Sequence, residues 1–160
     1  MLDIKNYVRV QSLQEAYDLC QNRRNVIIGG MLWLKMQNRS VDTAIDLCDL
    51  GLNQIEDKGD EIHIGAMVTL RQLELDPLLN EYTHHALNES VKHIVGVQFR
   101  NLATIGGSLF GRYGFSDVLT MFLALDAYVE LYHGGIVSIR EFVEMRPSLD
   151  ILVRIIVKKT

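Results

Sequence analysis

Short apolar segments in the first fifty residues alternate between helical and extended spacing. Ser12 and Glu15 have the form of a capping box, which predicts that a helix begins at the next residue after Ser12. The apolar run that Gly29 and Gly30 end is typical of a short buried strand. In order, the pattern favours a helix over 13–20, a strand over 26–28, a helical segment over 31–36 and a strand over 44–47. Alternation of this kind favours a small parallel sheet with crossover helices.

From Leu52 onward the pattern becomes that of hairpins and separate helices. Asp57 to Asp60 (DKGD) is a strong turn signal between two short strands. Thr69 with Gln72 predicts a helix cap, and Pro77 suits the first turn of a helix. The other predictions are strands over 54–56, 61–64, 128–131, 136–139 and 151–157, a long helix over 82–95 and a helix from Ser116. We therefore predict a small α/β lobe over 1–55 and a larger α+β lobe over 56–160.

Composition and charge exclude several classes of function. The 160 residues hold 16 Lys and Arg against 20 Asp and Glu, a formal net charge of −4. A general nucleic-acid binder needs clustered positive charge, so we expect no nucleic-acid partner. No apolar run approaches the ~18 residues of a membrane span and the N-terminus does not resemble a secretory signal, so we expect a cytoplasmic protein without membrane contact. Cys20 and Cys48 belong to no CxxC pattern and are expected to be buried free thiols.

Two glycine pairs are the strongest candidates for a binding site. Gly29-Gly30 and Gly106-Gly107 each follow an apolar or β-branched stretch. Glycine allows a ligand to approach the backbone closely, and successive N–H groups in such a turn can hold phosphate oxygens. Two such turns could hold a pyrophosphate from both sides without any lysine. Two ordinary turns without a ligand explain the same residues, and a single glycine pair is more often a turn than a site.

Other known site patterns are absent or incomplete. No GxGxxG follows a strand, and the Walker-like spacing after the second glycine pair lacks the required Lys and Ser or Thr. His85, Glu89 and His93 would share one helix face, which fits a metal site or a solvated face; we expect no metal. Trp33 and Phe99 could stack on an aromatic ligand, although core packing explains both. No residue is predicted to be catalytic.

Three segments together resemble a known family. They are Val26–Gly30 (VIIGG), Ile64–Leu70 (IGAMVTL) and Gln98–Gly107 (QFRNLATIGG). In this order they are similar to the FAD-binding subunit of the molybdenum hydroxylases, the xanthine dehydrogenase and carbon monoxide dehydrogenase group. The resemblance covers essentially the whole chain, and the RNxATIGG element is its most specific part. It implies an α+β, two-lobed FAD-binding fold of the vanillyl-alcohol oxidase (PCMH) type.

The resemblance also implies a cofactor, partners and site residues. Electrons would reach FAD from 2Fe-2S clusters on an iron–sulfur subunit, fed by a molybdopterin-binding subunit, and would leave to an acceptor such as NAD. Val26–Trp33 would hold the pyrophosphate through main-chain N–H groups, and Thr104–Ser108 would form a second segment that holds the cofactor. Asp117 would bond the sugar-like part of FAD, with Ile94 and Leu152 near its ring system. The implied cofactor-binding residues are Val26, Ile27, Ile28, Gly29, Gly30, Met31, Leu32, Trp33, Ile94, Thr104, Ile105, Gly106, Gly107, Ser108, Asp117 and Leu152.

The chain departs from the family pattern at several places. Met31 and Leu32 stand where Thr and Asp are common after the first glycine pair, and Ser108 stands where Asn is common. The sequence ends where relatives continue into a C-terminal domain, so we expect a shortened subunit or a piece of one. Two hypotheses follow. One is an FAD subunit of a molybdopterin-dependent, xanthine dehydrogenase-like oxidoreductase; the other is a non-catalytic assembly module with the same fold that binds FAD weakly or not at all.

Overall fold

The computed structural model describes residues 1–160, with eight strands and eight α-helices. The strands are β1 Asp3–Arg9, β2 Val26–Ile28, β3 Ser40–Asp46, β4 Ile55–Asp57, β5 Glu61–Gly65, β6 Ala127–Leu131, β7 Gly135–Ser138 and β8 Leu152–Lys158. The helices are α1 Leu13–Cys20, α2 Leu70–Leu75, α3 Pro77–Tyr82, α4 Ala86–Val91, α5 Val97–Leu102, α6 Ile105–Phe110, α7 Asp117–Leu123 and α8 Ile139–Glu144. Leu34–Met36 and Cys48–Leu50 form 3-10 turns. No helix is long and apolar enough to cross a membrane.

The strands form two separate sheets. β1, β3 and β2 lie side by side in that order with parallel pairing, which confirms the small parallel sheet. The second sheet has the order β4-β5-β8-β6-β7 and is antiparallel throughout. This mixed α+β architecture is the predicted fold class. The first sheet uses residues before 55 and the second uses residues from 55 onward, while the division into two lobes there stays a prediction.

Helix α1 covers the small sheet and begins where the sequence predicts. Ser12 Oγ accepts a hydrogen bond from the Glu15 N–H at 3.1 Å, which satisfies one of the free donors of the first turn. Ala16 of α1 and Ile45 of β3 are fully buried in one hydrophobic cluster. Ile151, just before β8, belongs to the same cluster, so the small core also contacts the strand at the centre of the larger sheet.

The larger core lies between one face of the five-stranded sheet and the helices of the second half. Strand β5 shows the alternation that builds it: Ile62 and Ile64 are fully buried, while Glu61 and His63 point to the other face and are partly exposed. Phe122 of α7 is fully buried against this face as part of the same cluster. The core therefore depends on strand alternation on one side and on short helices on the other.

Glycines bring two backbone segments into direct contact between the small sheet and the helices of the larger core. A Cβ on Gly30 would lie 2.1 Å from the carbonyl oxygen of Leu102, and a Cβ on Gly29 would lie 2.5 Å from Oγ1 of Thr104. The obstacle at Gly30 is backbone, which cannot rotate away as a side chain can. Only glycine therefore permits this approach.

The predicted helix over 82–95 is wrong. Only the short helix α4 lies within this range, because α3 ends at Tyr82 and His84 and His85 take left-handed φ angles of 48° and 65°. A right-handed helix cannot continue through such residues. The segment 31–36 is also not an α-helix, since only the 3-10 turn Leu34–Met36 forms there.

Two smaller predictions are also wrong. Cys48 is exposed because it lies in the 3-10 turn after β3, whereas Cys20 is buried as predicted. Gly106 and Gly107 do not form a turn between elements: they lie in the first turn of α6, which Thr104 caps. The sequence predictions also did not include β1, α5, α6 or α8, although Ser138 and Glu141 have the spacing of a helix cap and Ser138 caps α8.

Gly30→Ala should destabilise the protein, because the new Cβ would collide with the backbone at Leu102 and force the two segments apart. We expect a loss of about 1–3 kcal/mol in the free energy of unfolding, the usual cost of overpacking. Urea denaturation followed by circular dichroism measures it. Gly114→Ala is the matched control, since nothing lies within 4 Å of a Cβ at that position. An equal loss in both variants would contradict the close contact.

Candidate functional site

A cleft of about 620 Å³ opens along the contact between the two glycine segments. Its volume lies within the ~300–1,000 Å³ typical of small-molecule sites, and most of its lining residues are hydrophobic. Among the sequence-predicted cofactor residues, Ile105 does not line the cleft, because it is fully buried in the larger core. The others lie in the cleft wall; they are Val26, Ile27, Ile28, Gly29, Gly30, Met31, Leu32, Trp33, Ile94, Thr104, Gly106, Gly107, Ser108, Asp117 and Leu152. Their contact with a ligand stays a prediction.

The backbone N–H groups from Gly29 to Trp33 form a row of unpaired donors in the cleft wall. The edge strand β2 ends at Ile28, and none of the N–H groups that follow in this row donates a hydrogen bond within the chain. Met31 takes a left-handed φ of 61°, which turns the chain within the row. Successive unpaired N–H groups of this kind are a site for anionic oxygens such as those of a pyrophosphate.

The second glycine segment is built differently. The N–H groups of Ile105 and Gly106 donate to carbonyl oxygens in the segment 66–68, both at 2.8 Å, and the N–H of Gly107 donates to Oγ1 of Thr104 at 3.1 Å. These donors are already used within the chain. Gly107 is exposed, and a Cβ there would meet only Oγ1 of Thr104, at 3.2 Å. The segment therefore offers an open surface without a side chain, not a second row of donors.

Few charged residues line the cleft, namely Arg39, Asp117 and Asp150. Asp150 is buried, and its carboxylate accepts hydrogen bonds from the N–H groups of Gly134 at 2.8 Å and Ile151 at 2.7 Å. Asp150 therefore links the turn at Gly134 to the segment just before β8. Asp117 is exposed at the first position of α7, where its carboxylate is available to a hydroxyl group. The groups in the wall that could bind a phosphate are therefore the backbone donors and the exposed guanidinium of Arg39.

A buried ion pair that the sequence did not reveal fixes one wall of the cleft. Arg100 of α5 and Glu74 of α2 are both buried, with Nε 2.8 Å from Oε2. Arg71 also contacts the carboxylate of Glu74 at 2.8 Å. Nη1 of Arg100 donates to the carbonyl oxygen of Ile94 at 3.1 Å, next to Val95, whose φ of 51° is strained for a β-branched residue. The pair therefore positions the wall segment 94–95. In the sequence, Arg100 lies within the RNxATIGG element, which was the available signal for it.

The pKa of Glu74 lies below its usual value. Burial would raise this pKa, but the hydrogen bonds from Arg100 and Arg71 outweigh burial. Glu74 is therefore ionised at neutral pH. Its carboxylate links α2 to α5 and takes no part in the cleft.

The remaining sequence candidates have different surroundings. Phe99 packs against the larger core and also lines the cleft, whereas Trp33 is 47% exposed and is not a core residue. The interpretation of Trp33 as core packing is therefore wrong. His85, Glu89 and His93 do not assemble, since no group of three or more potential metal ligands lies together in the structure.

Residues 2–158 match the family described as the FAD binding domain in molybdopterin dehydrogenase. The chain belongs to this family. FAD is the cofactor of the family, which confirms both the resemblance and the cofactor that it implied. The structure fits this cofactor: the unpaired N–H row suits a pyrophosphate, and the open surface at Gly107 lets a ligand approach the backbone.

Curated relatives of this FAD-binding chain are longer than the chain itself. The FAD subunit of nicotinate dehydrogenase from Eubacterium barkeri is 33% identical over 129 residues, which are 76% of this chain and 43% of that one. A putative xanthine dehydrogenase FAD-binding subunit from Escherichia coli K12 is 28% identical over 141 residues, 82% of this chain and 47% of that one. The chain thus spans about half the length of these relatives.

A solved structure shows the same fold. Carbon monoxide dehydrogenase from Hydrogenophaga pseudoflava superposes with a TM-score of 0.87 at 24% identity, over 97% of this chain and 59% of that one. The two-lobed FAD-binding fold class predicted from the sequence is therefore confirmed. The FAD-binding domain of the family is present here across both sheets.

Glu74→Gln should destabilise the protein, because it leaves Arg100 buried without a counter-charge. We expect a loss of about 3–5 kcal/mol in the free energy of unfolding at pH 7. Since folding lowers the pKa of Glu74, its stabilising effect is present above the pKa of an unfolded glutamate and disappears as the pH falls through the folded value. The difference between wild type and variant should therefore shrink on acidification.

Urea denaturation at several pH values measures this difference. Glu89→Gln is the matched control, because Glu89 pairs with Lys92 at the surface, at 2.6 Å, and solvent screening makes such exposed pairs contribute little to stability. If Glu74→Gln cost no more stability than Glu89→Gln, the buried pair would not hold the wall.

Proposed function

We propose that this chain is the FAD-binding part of a molybdopterin-dependent oxidoreductase similar to xanthine dehydrogenase. Electrons pass from iron–sulfur clusters on a partner subunit through the bound FAD to an acceptor such as NAD, and a molybdopterin-binding partner subunit acts on the substrate. The observation that carries the proposal is the unpaired N–H row over 29–33, in a cleft whose wall contains no lysine. Membership of the FAD-binding family supports it.

In this function, the chain's own residues bind and orient the cofactor. The N–H groups of Gly29–Trp33 donate to pyrophosphate oxygens, and Gly107 leaves room for the cofactor to approach the start of α6. The Asp117 carboxylate accepts a hydrogen bond from a sugar-like hydroxyl group. Ile94 and Leu152 pack near the ring system and exclude water. When bound, FAD supplies the ability to accept and release electrons, and the protein supplies position and environment.

A second function is a non-catalytic assembly module that keeps the fold and binds FAD weakly or not at all. Two observations favour it. Met31 and Leu32 have no polar side chain at positions where the family commonly has Thr and Asp. The N–H groups of Ile105 to Gly107 are used within the chain, which removes donors on that side of the cleft.

Titration with FAD separates the two functions. The purified chain is titrated alone and together with its iron–sulfur and molybdopterin partner subunits, and binding is followed by flavin absorbance and emission. The FAD-carrying function predicts saturable binding and reduction of the bound flavin when the partners receive substrate. The assembly function predicts no saturable binding in either sample, and that result would overturn the proposal.

Gly107→Leu tests the position of the site in the same titration. A Cβ at Gly107 would meet only Oγ1 of Thr104, at 3.2 Å, so the variant should fold after a small shift of that side chain while it occupies cofactor space. We expect at least about tenfold weaker FAD binding, equal to ~1.4 kcal/mol, and a smaller loss for Gly107→Ala. Thermal unfolding midpoints close to wild type confirm folding. An unchanged FAD affinity in Gly107→Leu would remove this position from the site.

A further inference from the structure

Strand β1 forms a free edge of the parallel sheet. It is seven residues long and pairs only with β3, in a register without a bulge. The N–H of Asp3 donates to the carbonyl oxygen of Arg39, at 3.0 Å, and so points towards β3. Because backbone groups alternate in direction along a strand, those of Ile4, Asn6 and Val8 point away from the sheet. They form a row of N–H and C=O groups without partners in the chain.

This edge is exposed and is not part of the cofactor cleft. None of the residues of β1 lines the cleft, and five of its seven residues are exposed. Native proteins usually protect a long edge strand with a proline, a bulge or a covering segment. β1 has no proline and no bulge, and β3 is the only strand beside it. Such an edge is a surface to which a further strand can add through main-chain hydrogen bonds.

The side chains of β1 complement a second copy of the same strand in antiparallel orientation. When two such strands cross at Asn6, each Asp3 faces Arg9 of the second copy, and each Lys5 faces Tyr7. Opposite-charge pairs of this kind stabilise adjacent strands. Lysine is used in many proteins to prevent edge pairing, but in this arrangement Lys5 faces an aromatic ring, which attracts a cation. The sequence of β1 is therefore self-complementary.

Both members of the opposite-charge pair are available for it. One Nη atom of Arg9 contacts the carboxylate of Asp49, but the side chain of Arg9 is 55% exposed. A guanidinium group has several N–H donors, so it can bind a second carboxylate. The carboxylate of Asp3 is exposed, and its one hydrogen bond, from Oγ of Ser40, is long at 3.5 Å.

The charges also select one register. In the antiparallel pair centred on Asn6, Ile4 exchanges hydrogen bonds with Val8 of the second copy, and the two Asn6 residues exchange theirs across the symmetry axis. A shift by two residues keeps the outward groups opposite one another, but it places Lys5 opposite Lys5 in one direction and opposite Arg9 in the other. Like charges directly opposite each other destabilise a sheet. The register centred on Asn6 is therefore the one that pairs the whole edge without repulsion.

We propose that two copies of this chain associate through β1, antiparallel and about a two-fold axis at Asn6, so that their parallel sheets join into one continuous sheet. The interface is isologous, because both copies use the same strand, and it leaves no free edge at β1. One short strand on each side makes a small interface, so the dimer forms at high protein concentration. Because the charged pairs lie at the surface, salt weakens the dimer.

Sedimentation of the purified chain over a range of protein concentrations, at low and at high salt, tests the proposal. Asn6→Pro removes the central outward N–H, and proline is tolerated on an edge strand at such a position. Asn6→Ala is the matched control: it also loses the bond from Nδ2 of Asn6 to the carbonyl oxygen of Asp42, at 3.1 Å, but it keeps the N–H. We expect wild type and Asn6→Ala to dimerise, and Asn6→Pro to dimerise at least about tenfold more weakly.

Charge reversal tests the register. Asp3→Arg and Arg9→Asp each place like charges opposite each other, so each variant should stay monomeric alone. Their mixture restores both opposite-charge pairs and should form a heterodimer. Arg23→Asp is the control and should dimerise as wild type does, because Arg23 is exposed and lies outside β1. Circular dichroism confirms folding, and the charge variants keep the test valid if Asn6→Pro folds poorly.

Amide hydrogen exchange identifies the surface that the dimer uses, because the amides of Ile4, Asn6 and Val8 should become protected as the dimer forms. Wild type that stays monomeric at every concentration would overturn the proposal, and so would a dimer that Asn6→Pro and both charge variants leave intact. Failure of the mixture to associate would overturn the register. Protection of these amides only after addition of an iron–sulfur or molybdopterin partner subunit would assign the edge to that subunit and overturn self-association.

Discussion

The structure depends on the place where the backbone at Gly29 and Gly30 meets the backbone at Leu102 to Thr104. A Cβ on Gly30 would lie only 2.1 Å from a carbonyl oxygen there, so no other residue permits this approach. The contact joins the parallel sheet to the helices of the larger core, and the cleft opens along it. Because the edge strand β2 ends at the same point, the next N–H groups have no acceptor in the chain. The close approach at Gly29 and Gly30 therefore accounts both for the contact between the sheet and the helices and for the unpaired N–H groups.

The two glycine pairs look equivalent in the sequence but differ in the structure. The first pair leaves its N–H groups unpaired, whereas in the second pair the Gly106 N–H donates to the carbonyl oxygen of Ala66 and the Gly107 N–H donates to Oγ1 of Thr104. The buried pair of Glu74 and Arg100 then holds α5, which supplies Leu102 to the joint, and also holds the wall at Ile94. In the proposed cofactor site, the first glycine segment would therefore donate hydrogen bonds to the ligand, and the second would leave an open surface for it.

The sequence predicted the elements whose signals are local. Ser12 caps α1, the DKGD turn joins β4 to β5, and Thr69 caps α2 through a complete capping box, because each depends on residues a few positions apart. Fifteen of the sixteen residues that the family resemblance implied lie in the cleft wall, which has 37 lining residues in all. Local patterns did not reveal the break at His84 and His85, which take left-handed φ angles, or the contact between the rings of Trp33 and Tyr113, which follow the two separate glycine segments in the sequence.

Amide hydrogen exchange with and without FAD tests the central claim most directly, because it reports on individual backbone N–H groups. In the free protein, the amides from Gly29 to Trp33 should exchange quickly, and those from Ile105 to Gly107 should already be protected by their internal hydrogen bonds. Addition of FAD, or of ADP as a probe of the adenosine diphosphate half of FAD, should slow exchange at Gly29–Trp33 and change little at Ile105–Gly107. The opposite pattern, with new protection confined to Ile105–Gly107, would contradict the account.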